Sequence, residues 1–113
     1  MNFPFSQALT ANQLGFDPLT SWQYRYVPYA RAACTLLARA TTNGVRLTLF
    51  TGSQCIQQRS PVQGGGTAGV TPSRLNTEPI NWIATAGDLI LSQYDEVLAG
   101  TPTVDGLYII NPM

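Results

Sequence analysis

Few groups in this 113-residue chain could do chemistry. There is no histidine and no lysine. The six cations are all arginine, and the six acids are Asp17, Glu78, Asp88, Asp95, Glu96 and Asp105. Without histidine the common general base, the Ser-His-Asp triad and most zinc sites drop out. Without lysine there is no Schiff base and no phosphate-loop amine. A glycosidase pair needs two acids facing each other across a cleft. Asp95 and Glu96 are sequence neighbours, so in extended chain they point to opposite faces. Asp88 follows Gly87 and Asp105 precedes Gly106, where local side chain–backbone bonds give them turn roles. No acidic cluster suggests calcium. The expectation is a protein that is not an enzyme, with no catalytic residues, no metal and no cofactor.

Three other features could suggest a site. Gly64-x-Gly66-x-x-Gly69 matches the dinucleotide fingerprint literally. That motif needs a strand before it and a helix after it. Here Val70-Thr71-Pro72 follows, and Pro79 extends the loop, so a flexible contact loop is the expectation. Cys34 and Cys55 are too few for a disulfide framework. Both read as small buried hydrophobes, with one bridge between neighbouring strands as the alternative. Trp22, Tyr24, Tyr26, Tyr29, Trp82 and Tyr94 could form a sugar platform, but aromatics in a small sandwich mostly fill its core and rim.

The elements that must position these residues are strands. Residues 1–21 read as an extended N-terminal arm with irregular apolar anchors, punctuated by Pro4, Gly15 and Pro18. Ser6–Leu14 could make a short helix with Ser6 as its N-cap. The arm either lies over its own core or reaches a neighbour. Residues 22–113 read as one β domain. Trp22, Tyr24 and Tyr26 alternate like a strand. Residues 30–41 carry helix formers, but Asn43-Gly44 is the strongest short hairpin signal. Pairing about that turn sets Ala40 opposite Leu47, Ala38 opposite Leu49, and Arg39 opposite Thr48. Cys34, Leu36, Ala38, Ala40, Val45, Leu47 and Leu49 then share one apolar face. Gly52-Ser53 turns the chain into a strand over 55–62, and a glycine-rich loop follows. Strands at 80–85, 89–94 and 104–110 complete about seven, with a bulge at Asp105-Gly106. This spacing predicts an all-β, single sandwich or jelly-roll-like domain.

Charge narrows the class of partner. Charged residues make up 11% of the chain and the net charge is zero, against about 25% charged in ordinary domains. That is a poor surface for a concentrated free monomer and suits one covered by neighbours. It lacks the basic footprint of a nucleic-acid binder. No apolar run is long enough to span a membrane as a helix. Met1-Asn2-Phe3-Pro4-Phe5 has no basic or apolar region of a signal peptide.

Residues Asn43 to Ile110 resemble small β-sandwich virion proteins of bacteriophages, the kind that make vertices, cement subunits or short spikes. The residues that carry the resemblance are Thr42-Asn43-Gly44-Val45, the run from Arg59-Ser60-Pro61 through Gly64-Gly65-Gly66 to Gly69, Asn76-Thr77-Glu78-Pro79-Ile80, and Ala86-Gly87-Asp88-Leu89-Ile90. The resemblance implies an icosahedral or axial assembly, no cofactor, and an arm that reaches a neighbour. The expected role is a structural subunit of a phage particle, made in the host cytoplasm and residing in the virion. It would assemble with copies of itself or other virion proteins, with no nucleic acid and no membrane. The expected interface residues are Phe3, Phe5, Leu9, Leu14, Phe16, Gly64, Gly65 and Gly66. The alternative is a carbohydrate- or receptor-binding sandwich, and a third possibility is a small enzyme-associated β domain.

Overall fold

The computed structural model describes residues 2–20, 22–73, 75 and 77–113, with Tyr24 described by its backbone only. Met1 and Ser21 at the ends of the expected arm, Asn76 of the resemblance and the Tyr24 side chain lie outside that description. Seven strands form: β1 (Asn2–Ala8), β2 (Arg31–Ala40), β3 (Val45–Thr51), β4 (Gln54–Pro61), β5 (Ile80–Thr85), β6 (Ile90–Glu96) and β7 (Thr103–Pro112). They make two sheets, one in the order β1-β7-β2-β5 and one in the order β4-β3-β6. Every pairing is antiparallel. The expected small all-β sandwich is what the chain forms.

Alternation fixes which face is buried. β3 and β6 alternate strictly between buried and partly exposed positions over most of their length. Val45, Leu47 and Leu49 from β3 meet Cys34, Leu36 and Ala40 from β2, with Trp82, Ala84, Val104 and Ile110 beside them. Within this core lies a polar knot. The Tyr108 hydroxyl is 2.6 Å from Ser92 Oγ and 3.0 Å from the Tyr94 hydroxyl. Burial pushes both phenols well above their ordinary pKa. They stay protonated, so the knot is a hydrogen-bonded one and carries no charge.

The turn at Asn43-Gly44 is not a hairpin. β2 pairs with β7 and β5, whereas β3 pairs with β4 and β6. Gly44 has φ 111° but Asn43 is not at positive φ, and a type I′ turn needs positive φ at both central residues. The segment instead carries the chain from one sheet to the other. Arg39 therefore lies opposite Asp105, not Thr48. The apolar face read from the sequence is nonetheless the buried one. Two strands that face each other across a sandwich share an inward pattern just as neighbours in one sheet do. The two-residue hairpin lies at Gly52-Ser53, where Thr51 pairs with Gln54 and Gly52 takes φ 59°.

The first twenty residues also differ from expectation. Ser6–Leu14 is not a helix, since Asn2–Ala8 is a strand on β7. Trp22, Tyr24 and Tyr26 do not form a strand. Gln23–Arg25 is a single 3-10 turn, and Tyr26 makes one isolated bridge to Leu89. The strand count of seven is kept because β1 replaces the expected strand at 22–26. Asp105-Gly106 is not a bulge, because β7 keeps register with both neighbours through it. Gly106 has another cause: the Phe5 ring occupies the space a Cβ would fill. The register shifts fall instead between β3 and β4.

Candidate functional site

Five of the six acids hold backbone. Asp17 accepts the Leu19 N–H at 2.9 Å and pairs with Arg25 at 2.8 Å. Asp88 accepts both the N–H and the hydroxyl of Thr85, closing the β5–β6 turn. Asp95 accepts the Gly15 N–H at 2.7 Å and meets Arg59 at 3.1 Å. Asp105 accepts the Gly69 N–H at 3.2 Å. Glu96 is buried and accepts N–H groups from Asn12, Leu98 and Gly100. Burial raises the pKa of such a carboxyl, but these backbone donors outweigh it and hold Glu96 below its ordinary value. Asp95 and Glu96 do point to opposite faces, as their adjacency predicts. Among the described residues no three His, Cys, Asp or Glu side chains gather as metal ligands.

The cysteines are both free, and they differ. Cys34 is buried, and burial, with a smaller contribution from Asp88, pushes its thiol up to about 11. Cys55 is exposed, contrary to the expectation that both are core residues. It lies on β4, whose ladder to β3 is irregular, so strict inward alternation fails there.

Four of the five expected arm anchors pack within this chain. Phe3 stacks on Trp22 at 4.8 Å. Phe5 lies 5.5 Å from Tyr94 and 5.8 Å from Tyr108, with Phe16 6.4 Å away. Leu9 is fully buried. Leu14 is the exception, at 68% exposed. The glycines also rest on their own domain. Gly64 packs against Thr42 and Asn43, leaving no room for a side chain. Gly66 donates its N–H to Ala40 O at 2.9 Å, and Gly65 O lies near the Arg39 guanidinium. The loop thus lies over the outer face of the four-stranded sheet, where Asp105 is buried.

What the sequence left unmarked is the side of the sandwich between β4 and β5. Val62, Gln63 and Gly64, which follow β4, and Thr77, Glu78 and Pro79, which precede β5, come together there. A cleft of about 1020 Å³ opens there, with Ala38, Leu47 and Ile80 at its floor and Gln57, Gln63 and Glu78 among its polar lining. Leu75 lines it too and is 99% exposed. Further large apolar side chains stand out of the surface at Tyr26, Val70, Ile83, Leu98 and Met113. A lone leucine inside a Ser/Arg/Asn loop was the available signal for Leu75. By contrast, Trp22, Trp82 and Tyr94 are turned inward against other side chains. Comparison with family models, with curated proteins and with solved structures gives no match.

Proposed function

We propose that this chain is a structural subunit of a virus particle, which acts by contact with neighbouring proteins and not by chemistry. The observation that carries this is the β4–β5 side, where a fully exposed Leu75 lines a cleft that reaches the buried Leu47. A large apolar side chain left in water gains when a neighbour covers it. The sparse charge makes such covering cheap, because few ions need desolvation. The five acids committed to backbone support the same role, since they leave little for catalysis. The phage-type resemblance of residues 43–110 names the assembly.

The test is incorporation. In a host producing the whole particle, gradient-purified particles are expected to contain the chain at a fixed ratio to the major shell protein by quantitative mass spectrometry. Leu75→Asp is expected to lower that ratio severalfold without changing the circular dichroism of the isolated chain. A chain absent from particles would sink the proposal. So would an isolated monomer that binds glycans on an array, which would favour the receptor-binding alternative.

A further inference from the structure

Each sheet has two outer strands, and three of the four outer edges are guarded. A bare edge presents unpaired N–H and C=O groups to any other chain, and proteins block it with proline, charge, bulges or a covering segment. On β1 the N–H of Leu9 goes to Pro102 O and continues the ladder to β7, so Phe3, Phe5 and Gln7 bond inward. Pro4, with no N–H, therefore stands in the middle of the outer edge. β4 carries register shifts and Arg59 at φ 30°. β6 is covered by Phe16, which exchanges two backbone hydrogen bonds with Tyr94, and by Gln13, whose carbonyl takes the Glu96 N–H.

Between its ends β5 has none of these devices. Its sequence, Ile80-Asn81-Trp82-Ile83-Ala84-Thr85, has no charge and no proline, and its ladder to β2 has no shift. The Ala86 N–H bonds Ala30 O and extends that ladder, so Ile80, Trp82 and Ala84 bond inward and Asn81, Ile83 and Thr85 face out. The outward stretch is limited at both ends. The Thr85 N–H is taken by Asp88 at 2.9 Å, and Pro79 has none. The open residues are Asn81 and Ile83, placed symmetrically about Trp82.

We propose that β5 is the seam of a two-fold dimer, in which the β5 strands of two copies pair antiparallel about Trp82. Asn81 then lies opposite Ile83 of the second copy, and the two exchanged pairs make four backbone hydrogen bonds. In that register Pro79 falls opposite Thr85 of the second copy. The residue without an N–H meets the one whose N–H is already used, so the two gaps coincide. An unrelated strand has no reason to match both ends. The strand itself carries no charge near the two-fold axis, where each charge would meet its own copy, and the Asp88 carboxylate sits at the Thr85 end, away from that axis. Ile83, half exposed in one chain, is covered. Trp82, at the centre of the register, keeps its side chain in its own core. The two four-stranded sheets become one continuous sheet. The inference rests on the structural-subunit reading and gives that subunit its first contact.

Sedimentation equilibrium on the full chain tests it, with amide hydrogen exchange as a second readout. The wild-type chain is expected to dimerise, with Asn81 and Ile83 amides protected. Ile83→Pro removes an N–H that bonds nothing among the described residues, and should weaken the dimer by roughly tenfold to a hundredfold through two lost interchain bonds. Ile83→Lys keeps the backbone intact, covers the case in which proline disturbs β5, and is expected to weaken the dimer comparably while exposing the Asn81 amide to exchange. A dimer unchanged in both variants overturns the seam, as does a wild-type chain that stays monomeric at the highest concentration reached. Either result leaves particle incorporation standing, whereas failed incorporation with an intact β5 dimer counts against the subunit reading alone.

Discussion

Glu96 shows how a carboxylate becomes structural in this protein. It is the last residue of β6 and faces inward opposite Val45. Its oxygens collect N–H groups from two loops, Asn12 on one side and Leu98 and Gly100 on the other. Asn12 and Ala99, in those loops, sit at φ 57° and 55°, a left-handed conformation that asparagine tolerates and that is unfavourable for alanine. The carboxylate offsets that cost by bonding the donors the bends expose. Because the folded pKa lies below the ordinary value of 4.5, the ionised form contributes stability above that value. The contribution is lost as pH falls through the folded pKa. Glu96→Gln is therefore expected to be less stable than wild type at pH 7. The two urea midpoints should converge as the buffer is taken below pH 4.5. Parallel midpoint curves across that range would mean the charge at Glu96 contributes nothing. Nothing local to Glu96 announces this role, because one donor comes from a loop 84 residues away and the others from the following turn.

At the scale of elements, β1 decides between the two roles open to the first twenty residues. It is the outer strand of the four-stranded sheet, in register with β7 from Asn2 to Ala8. Phe3, Phe5, Leu9, Phe16 and Leu19 all join the core or pack against it. Leu9 and Leu19 are fully buried and the three phenylalanines partly so, and at about 1.5–3 kcal/mol for a fully buried side chain the segment contributes on the order of 5–10 kcal/mol. That is comparable to the whole net stability of a domain, about 5–15 kcal/mol. Deleting residues 2–20 is expected to give a chain without a cooperative thermal transition, seen as lost near-ultraviolet dichroism. A truncated chain that melts cooperatively would show the segment to be a removable arm after all. Irregular spacing hid this strand. Its inward residues Phe3 and Phe5 alternate correctly, but Pro4 between them reads as punctuation, although an outer edge accepts proline. β5 was legible to the residue, because Trp82 and Ala84 alternate with Asn81 and Ile83. The Asn43-Gly44 segment was misleading for a different reason. Inward patterns give the face of each strand but not its neighbour, so pairing had to come from the turn, and the turn is a crossover.

At the scale of the molecule, the chain closes on itself end to end. The first strand pairs with the last, Asn2 opposite Ile109, four residues from the C-terminus. Such long-range pairing folds slowly, since the loop entropy must be lost before the contacts form. The composition and strand spacing announced a sandwich. They could not announce this closure, because nothing local in β1 or β7 names its partner. The same topology marks where the chain can be opened. β4 and β5 are consecutive, yet they lie in different sheets and do not pair. The exposed segment Thr67–Thr71 between them therefore bridges no ladder. A circular permutant that joins Met113 to Met1 through about six glycine and serine residues, and begins at Thr71, turns the β1–β7 pairing into a local hairpin. Replacing a closure of about a hundred residues with one of about ten lowers its entropic cost by about 2 kcal/mol. The permutant is expected to keep the native far-ultraviolet spectrum and to refold roughly thirtyfold faster in stopped-flow experiments, provided β1 docks before the rate-limiting step. An unchanged refolding rate with a raised midpoint would place β1 docking after that step. A permutant unable to fold would contradict the pairing of the first strand with the last.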